Sequence, residues 1–259
     1  MPDSRAIDAE HGLQVWFRFG VPLAMLAVAV ALIIFRYQIT RLPNRFELGP
    51  RTSPVTFASV RLDESRFGSL KLAGAWSATS DDRRFGGFSG LAIDGKQLVA
   101  INDSGVFARF PRPDTAGATV AMDEIPGGVG LGRYKVERDS EGLLADAQGR
   151  GWWVPFEYTN EIWLFDRGFT FPMERISFGW GYWPLNRGVE GIASESGAML
   201  LFLEDGDRVV RLTDKIAETV RLIGLSGSVS DATRLPDGRL VVVERRLTRF
   251  GFKNAIVEL

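Results

Sequence analysis

The 259-residue chain has no cysteine and a single histidine, His11. The first absence removes disulfides, thiol nucleophiles, zinc ribbons and iron–sulfur clusters together. The second removes a Ser-His-Asp triad and any histidine-based zinc or iron site from the folded part of the chain, because His11 lies in a polar N-terminal segment. Charge of one sign is also missing. Lys and Arg number 31 against 32 Asp and Glu, a formal net charge of −1. No basic stripe recruits nucleic acid. What remains for chemistry is carboxylates, arginines, hydroxyls and backbone. A ligand set made only of oxygen favours Ca²⁺ or Mg²⁺.

There is one long apolar run. Phe19 to Phe35 carries no charge and is bracketed by Arg18 and Arg36, with Trp16 and Tyr37 at interfacial positions. Its 17 residues sit at the lower limit for crossing a bilayer as a helix. No small-x-small cleavage site follows closely, which favours an uncleaved anchor over a signal peptide. The expected organisation is a polar segment (1–18), a transmembrane anchor (19–36), a linker (37–54) with three prolines up to Pro54, and a folded domain (55–259). Orientation stays open. Arg36, Arg41, Arg45 and Arg51 after the run would hold the domain in the cytoplasm by local charge, although long domains can cross regardless.

Beyond residue 54 no amphipathic helix of three turns stands out. Ile216 to Leu225 is the best helical candidate, and it alternates well enough for a strand. Short apolar runs separated by Gly, Asp and Pro read as all-β. Four segments align as repeats. Each has a short strand, an X-Gly turn and a longer apolar strand ending in an acid. The first runs from Phe88 through Asp94-Gly95 to Asp103, and the second from Ser140 through Gln148-Gly149 to Glu157. The third runs from Val189 through Ser196-Gly197 to Glu204, and the fourth from Ser230 through Asp237-Gly238 to Glu244. Third strands follow at Val106–Phe110, Ile162–Phe165, Val209–Leu212 and Ala255–Leu259, and fourth strands after the first three units. Four-stranded units at this spacing are the signature of β-propeller blades. The expectation is therefore four recognisable blades, or five, with the last blade completed by an N-terminal strand so that the ring closes without sheet edges.

In such a ring, first-strand positions converge at one channel mouth. Glu141, Glu190 and Asp231, with Ser89, form the expected inner set and the candidate metal ligands. Asp103, Glu157, Glu204 and Glu244 end the antiparallel second strands and form a second ring at the same rim. So many carboxylates repel unless their pKa values rise, arginines pair with them, or a cation is held. Arg187 and Arg245 are placed to neutralise them or to clamp an anion bidentately. The alternative is that each acid accepts backbone N–H groups and pins its own blade. Trp180 to Pro184 is a loop that could overhang the mouth. Gly127 to Gly132 lacks the Lys-Ser/Thr and the helix of a phosphate loop.

Phe88-Ser89-Gly90-Leu91-Ala92, Asp139-Ser140-Glu141-Gly142, Asn186-Arg187-Gly188-Val189-Glu190-Gly191 and Ser230-Asp231 with Val243-Glu244-Arg245 resemble the esterase-like activity of phytase family. The resemblance runs from about Leu70 to Leu259. It implies a bacterial, usually exported propeller, related in appearance to calcium-dependent phytase and lactonase propellers. It implies a Ca²⁺-dependent hydrolase of an ester or phosphoester, held in the inner membrane with its domain in the periplasm. Glu141, Glu190, Asp231 and Arg187 would then carry catalysis on a small anionic or ester substrate, with no nucleic-acid partner. Family members continue after the Glu-Arg strand into a further blade with an Asp-rich motif, and this sequence stops at Leu259. A non-catalytic propeller that binds a ligand or protein at the same mouth is the competing function.

Overall fold

The computed structural model describes residues 25–33, 49–62, 70–113, 115–127, 135–179, 188–204, 206–214 and 216–259. The chain divides into two units, Met1–Pro43 and Asn44–Leu259. In the first, residues 25–33 are helical and expose Met25, Leu26, Leu32 and Ile33. The rest of the expected anchor lies outside the described residues. Among the described residues no helix is long and apolar enough to cross a membrane.

The second unit is all-β, in a four-blade β-propeller arrangement. Blade one contains β3 (Phe88–Asp94), β4 (Gln97–Asn102), β5 (Val106–Pro111) and β6 (Thr119–Glu124). Blade two contains β7 (Leu144–Ala145), β8 (Gly151–Phe156), β9 (Glu161–Asp166) and β10 (Pro172–Ser177). Blade three contains β11 (Val189–Glu195), β12 (Ala198–Leu203), β13 (Arg208–Thr213) and β14 (Ile216–Arg221). Blade four has three strands, β15 (Ser228–Arg234), β16 (Leu240–Thr248) and β17 (Gly251–Glu258). Each sheet is antiparallel in sequence order, so every blade is a meander. The four predicted hairpin glycines, Gly95, Gly149, Gly197 and Gly238, have φ of 60°, 72°, 73° and 91°. Only glycine adopts this region at no steric cost. Ile216 onward is a strand, as its alternation allows, and it pairs antiparallel with β13 from Thr213↔Ile216 to Arg208↔Arg221.

One expectation is corrected. The N-terminal strand does not complete the last blade. Strand β1 (Arg51–Ser59) begins inside the expected linker, pairs with β6 through Arg51–Pro54, and then pairs with β2 (Trp76–Ser80). The first sheet thus has six strands, in the order β2-β1-β6-β5-β4-β3, and the fourth keeps three. The physical reason is packing. Val55 and Phe57 cover an apolar face of blade one made by Ala100, Val106, Ala108, Phe110 and Met122, and the rings of Phe57 and Phe110 stand 6.3 Å apart.

Three apolar seams join successive blades. Val99 and Ile101 meet Trp152, Val154 and Phe165 between blades one and two, where Phe107 stacks on Phe169 at 4.7 Å. Trp153, Ile162 and Leu164 meet Ile192, Leu201 and Val210 between two and three. Leu200, Phe202 and Val209 meet Val229, Ala232 and Val242 between three and four. Each such side chain contributes about 1.5–3 kcal/mol on burial. The innermost strands approach so closely that a Cβ added at Gly90 would lie 2.8 Å from the backbone of Gly142 and Leu143. Gly142 would meet Ile192 at 3.0 Å, and Gly191 would meet the backbone of Asp231 and Ala232 at 3.0 Å. Gly90→Ala should therefore destabilise the domain by about 1–3 kcal/mol, since backbone must move to admit the methyl group. Urea unfolding monitored by tryptophan fluorescence checks this, and an unchanged midpoint would contradict it.

Candidate metal centre

A one-residue slip in three of the four first strands builds the site. Pairing with the second strand shifts between Phe88 and Gly90, between Val189 and Gly191, and between Val229 and Asp231. The bulged residues, Ser89, Glu190 and Ser230, are released from the ladder and re-aimed. In blade two the short β7 does not reach this point. There Glu157 N donates to Asp139 O at 3.0 Å and Glu141 N donates to Pro155 O at 3.3 Å, which sets Glu141 at the same position. Equivalent bonds run from Asp103 N to Gly87 O and from Glu204 N to Gly188 O. Asp103, Glu157 and Glu204 therefore share the second ring.

The fourth repeat is offset by one residue from the alignment read in the sequence. Asp231 pairs with Val243 as Gly90 pairs with Ile101 and Gly191 with Phe202. It thus stands in the slot that glycine holds elsewhere, and Ser230 takes the place of Ser89 and Glu190. Ser230 Oγ donates to Val243 O just as Ser89 Oγ donates to Ile101 O. The second-ring position of blade four belongs to Arg245, opposite Ser228. Glu244 instead accepts the backbone N–H groups of Ser226 and Gly227, the pinning role anticipated as the alternative.

The carboxylates gather in two overlapping trios. Oxygens of Asp139, Glu141 and Glu157 lie within 4.8 Å of one another, and so do those of Glu157, Glu190 and Glu204. Glu157 belongs to both and is 4 % exposed. Gly188 N donates to its Oε1 at 3.4 Å, and a Cβ at Gly188 would lie 2.7 Å from the Glu157 side chain. Burial, followed by the charges of Asp139, Glu190 and Glu157, pushes Glu141 up to about 9, helped by its hydrogen bond with Asp139. Burial, then the charges of Glu157 and Glu204, raises Glu190 to about 7, with Arg245 opposing. Asp231 rises to about 6 through burial, partly offset by the N–H of Ala232. No carboxylate perturbs it, so it stands apart from the trios.

The structure thus brings together Glu141, Glu190, Glu157 and Glu204 from the expected set, with Arg245 beside Glu190. Asp103, bonded by Ser104 Oγ at 3.1 Å, is in neither trio. Arg187 and Trp180 to Pro184 lie outside the described residues. Asp139 was missed as a ligand. Its signal was present, since it is an acid where blades one and three carry Gly87 and Gly188. Carboxylates packed this closely retain protons, pair with a cationic side chain or hold a cation. An all-oxygen set of this size suits Ca²⁺, which takes 6–8 oxygens.

A family model described as phytase-like, esterase-like activity of phytase, matches residues 83–259. No curated protein matches the chain in sequence. Among solved structures, virginiamycin B lyase from Staphylococcus aureus is similar at 15 % identity and a TM-score of 0.42, over 67 % of this chain and 55 % of that one. A streptogramin B lyase is similar at 13 % identity and 0.43, over 80 % and 59 %. Glutaminyl cyclase from Myxococcus xanthus is similar at 12 % identity and 0.47, over 73 % and 81 %. The chain spans between half and three-fifths of the length of the two lyases. At these scores the likeness transfers no function.

The raised carboxylates fix the sign of a pH effect. In the unfolded chain they ionise near pH 4, while in the fold they keep protons up to about 7 for Glu190 and about 9 for Glu141. Folding therefore takes up protons in this window, and stability falls as pH rises through it. With chelator present, the melting temperature should drop between pH 5 and about 9. Millimolar Ca²⁺ should restore it, more at pH 8 than at pH 5. A flat profile insensitive to Ca²⁺ in a thermal scan would contradict the metal assignment.

Proposed function

The chain belongs to the esterase-like activity of phytase family, and on that footing we propose that it is a membrane-anchored hydrolase of an ester or phosphoester, with Ca²⁺ held at the acid rim. The observation that carries the reading is the sharing of Glu157 between two trios of carboxylates. Asp139, Glu141 and Glu157, or Glu157, Glu190 and Glu204, would hold the ion. When bound, Ca²⁺ supplies charge that polarises the substrate oxygen and makes a water more acidic. Arg245, beside Glu190, binds the anionic part of the substrate and orients it. Arg187 is a candidate for the same task. A carboxylate of the cluster that is not engaged by the ion accepts the proton of the attacking water. The buried seams hold the acids in place against their mutual repulsion, so little reorganisation is needed at reaction.

The run from Phe19 to Phe35 supports an inner-membrane anchor, and the family's usual export supports a periplasmic domain. The second reading, a non-catalytic propeller that binds a ligand at the same mouth, shares the site and differs only in turnover.

Hydrolysis of a generic phosphomonoester and a generic ester should appear with Ca²⁺ and vanish with chelator. Glu157→Gln should lower kcat/KM at least about tenfold, and Asp231→Asn less than about threefold. Glu204→Gln, at an exposed position, serves where Glu157→Gln fails to fold. Ca²⁺ binding without turnover of either substrate would favour the non-catalytic reading. Equal losses in Glu157→Gln and Asp231→Asn would contradict the assignment of the site.

A further inference from the structure

The first strands begin at the acid rim and end at the opposite face, where two of the three seams are closed by the same clasp. Asp94, the last residue of β3, pairs with Arg109 of its own blade at 2.7 Å and with Arg167 of blade two. Glu195, the last residue of β11, pairs with Arg211 of its own blade at 2.7 Å and with Arg234 of blade four at 3.8 Å. Each carboxylate thus meets a guanidinium from both sides of its seam. The seam between blades two and three departs from this pattern at both cationic positions. Leu164 pairs with Trp153 where Arg109 pairs with Val99 and Arg211 with Leu200. Ser194 stands where Arg234 stands, three residues after the glycine slot of its first strand. The carboxylate is kept, as Asp146, but it turns back on its own hairpin. It accepts the backbone N–H groups of Gln148 and Arg150, the Arg150 guanidinium at 2.8 Å and Trp153 Nε1 at 3.0 Å.

A cavity of about 390 Å³ stands where the clasp is missing. Leu144, Trp153, Ile176, Met199 and Leu212, all of the seam between blades two and three, form its apolar side. Around them stand Asp146, Glu174, Glu195 and Asp214, and among the described residues Arg150 is the one cation of the lining. We propose that this cavity binds a small organic cation, a guanidinium on a short apolar chain. The volume falls in the range of about 300–1,000 Å³ usual for small-molecule sites, and an apolar wall with a few polar groups is their usual lining. Four carboxylates against one guanidinium select positive charge. Asp146 is satisfied within its hairpin, so the head falls to Glu174 of blade two and to Glu195 and Asp214 of blade three. A planar guanidinium bonds carboxylates through parallel N–H groups and bridges this seam as Arg167 and Arg234 bridge the other two. The chain lies on Leu144, Met199 and Leu212. The site is at the other end of β11 from Glu190 and does not rest on the hydrolase reading.

Calorimetric titration of n-butylguanidinium into the full-length chain, in mild detergent with chelator, tests the proposal. Saturable binding is expected, at least about tenfold tighter than that of 1-butanol or of guanidinium without the chain. Ser194→Arg supplies the missing guanidinium in place and should abolish binding. Glu174→Gln combined with Asp214→Asn should weaken it at least about tenfold, and this pair decides if circular dichroism shows Ser194→Arg unfolded. Glu204→Gln, at the acid rim, should bind as the wild type does. No saturable heat in the wild type, equal binding of 1-butanol or of bare guanidinium, or undiminished binding in a folded Ser194→Arg or in the paired variant would overturn the proposal. So would a loss in Glu204→Gln, which would place the cation at the rim.

Discussion

The close approach of the innermost strands is the constraint on which the rest depends. Neighbouring blades meet at Gly90, Gly142 and Gly191 with too little space for a methyl group. The residue just before each of these glycines is carried to the rim by the same approach. Where that residue is Glu141 or Glu190, and where Glu157 and Glu204 end the second strands beside it, like charges are forced together. The seams of Phe, Trp, Leu and Ile fix the distances, and the carboxylates cannot relax apart without opening them. Raised pKa values follow from this geometry and from burial, with no further device.

The same constraint sets stability against chemistry. A core supported by three apolar seams carries a local electrostatic cost at its rim, and that cost grows as the acids ionise. Arg245 offsets it on one side, near Glu190. On the Asp139–Glu141 side a retained proton relieves the repulsion, and a divalent cation in its place would do the same. Elsewhere the protein pairs its charges in the ordinary way. Asp82 is held by Arg84 at 2.8 Å and Asp146 by Arg150 at 2.8 Å, and both carboxyls sit below the usual range because of those guanidinium hydrogen bonds. The rim is where carboxylates crowd most closely on one another.

Much of this was legible in the sequence. Strand positions in blades one and three follow from the X-Gly turns and the spacing of the apolar runs, because those turns admit little else. Glu141, Glu190, Glu157 and Glu204 follow from the repeat. The fourth repeat was misread by one residue, since Ser-Asp and Val-Glu match the acidic pattern while the bulge between Val229 and Asp231 leaves no mark in composition. Register is a property of pairing, and a slip of one exchanges Glu244 for Arg245 at the rim. The place of β1 was not legible either. Its apolar positions fit any open edge, and in the fold they pack on Phe110 and Met122 of blade one. Asp139 was legible by comparison with Gly87 and Gly188, which stand two residues before Ser89 and Glu190 as Asp139 stands before Glu141, and the hydrogen bonds of the second ring bear the equivalence out.

Calorimetric titration of Ca²⁺ into the wild type, Glu157→Gln and Asp231→Asn at pH 8 tests the central claim most directly. The account predicts saturable binding to the wild type and to Asp231→Asn, with binding abolished or weakened at least about tenfold in Glu157→Gln. Undiminished affinity in Glu157→Gln, or no saturable heat in the wild type, would contradict it.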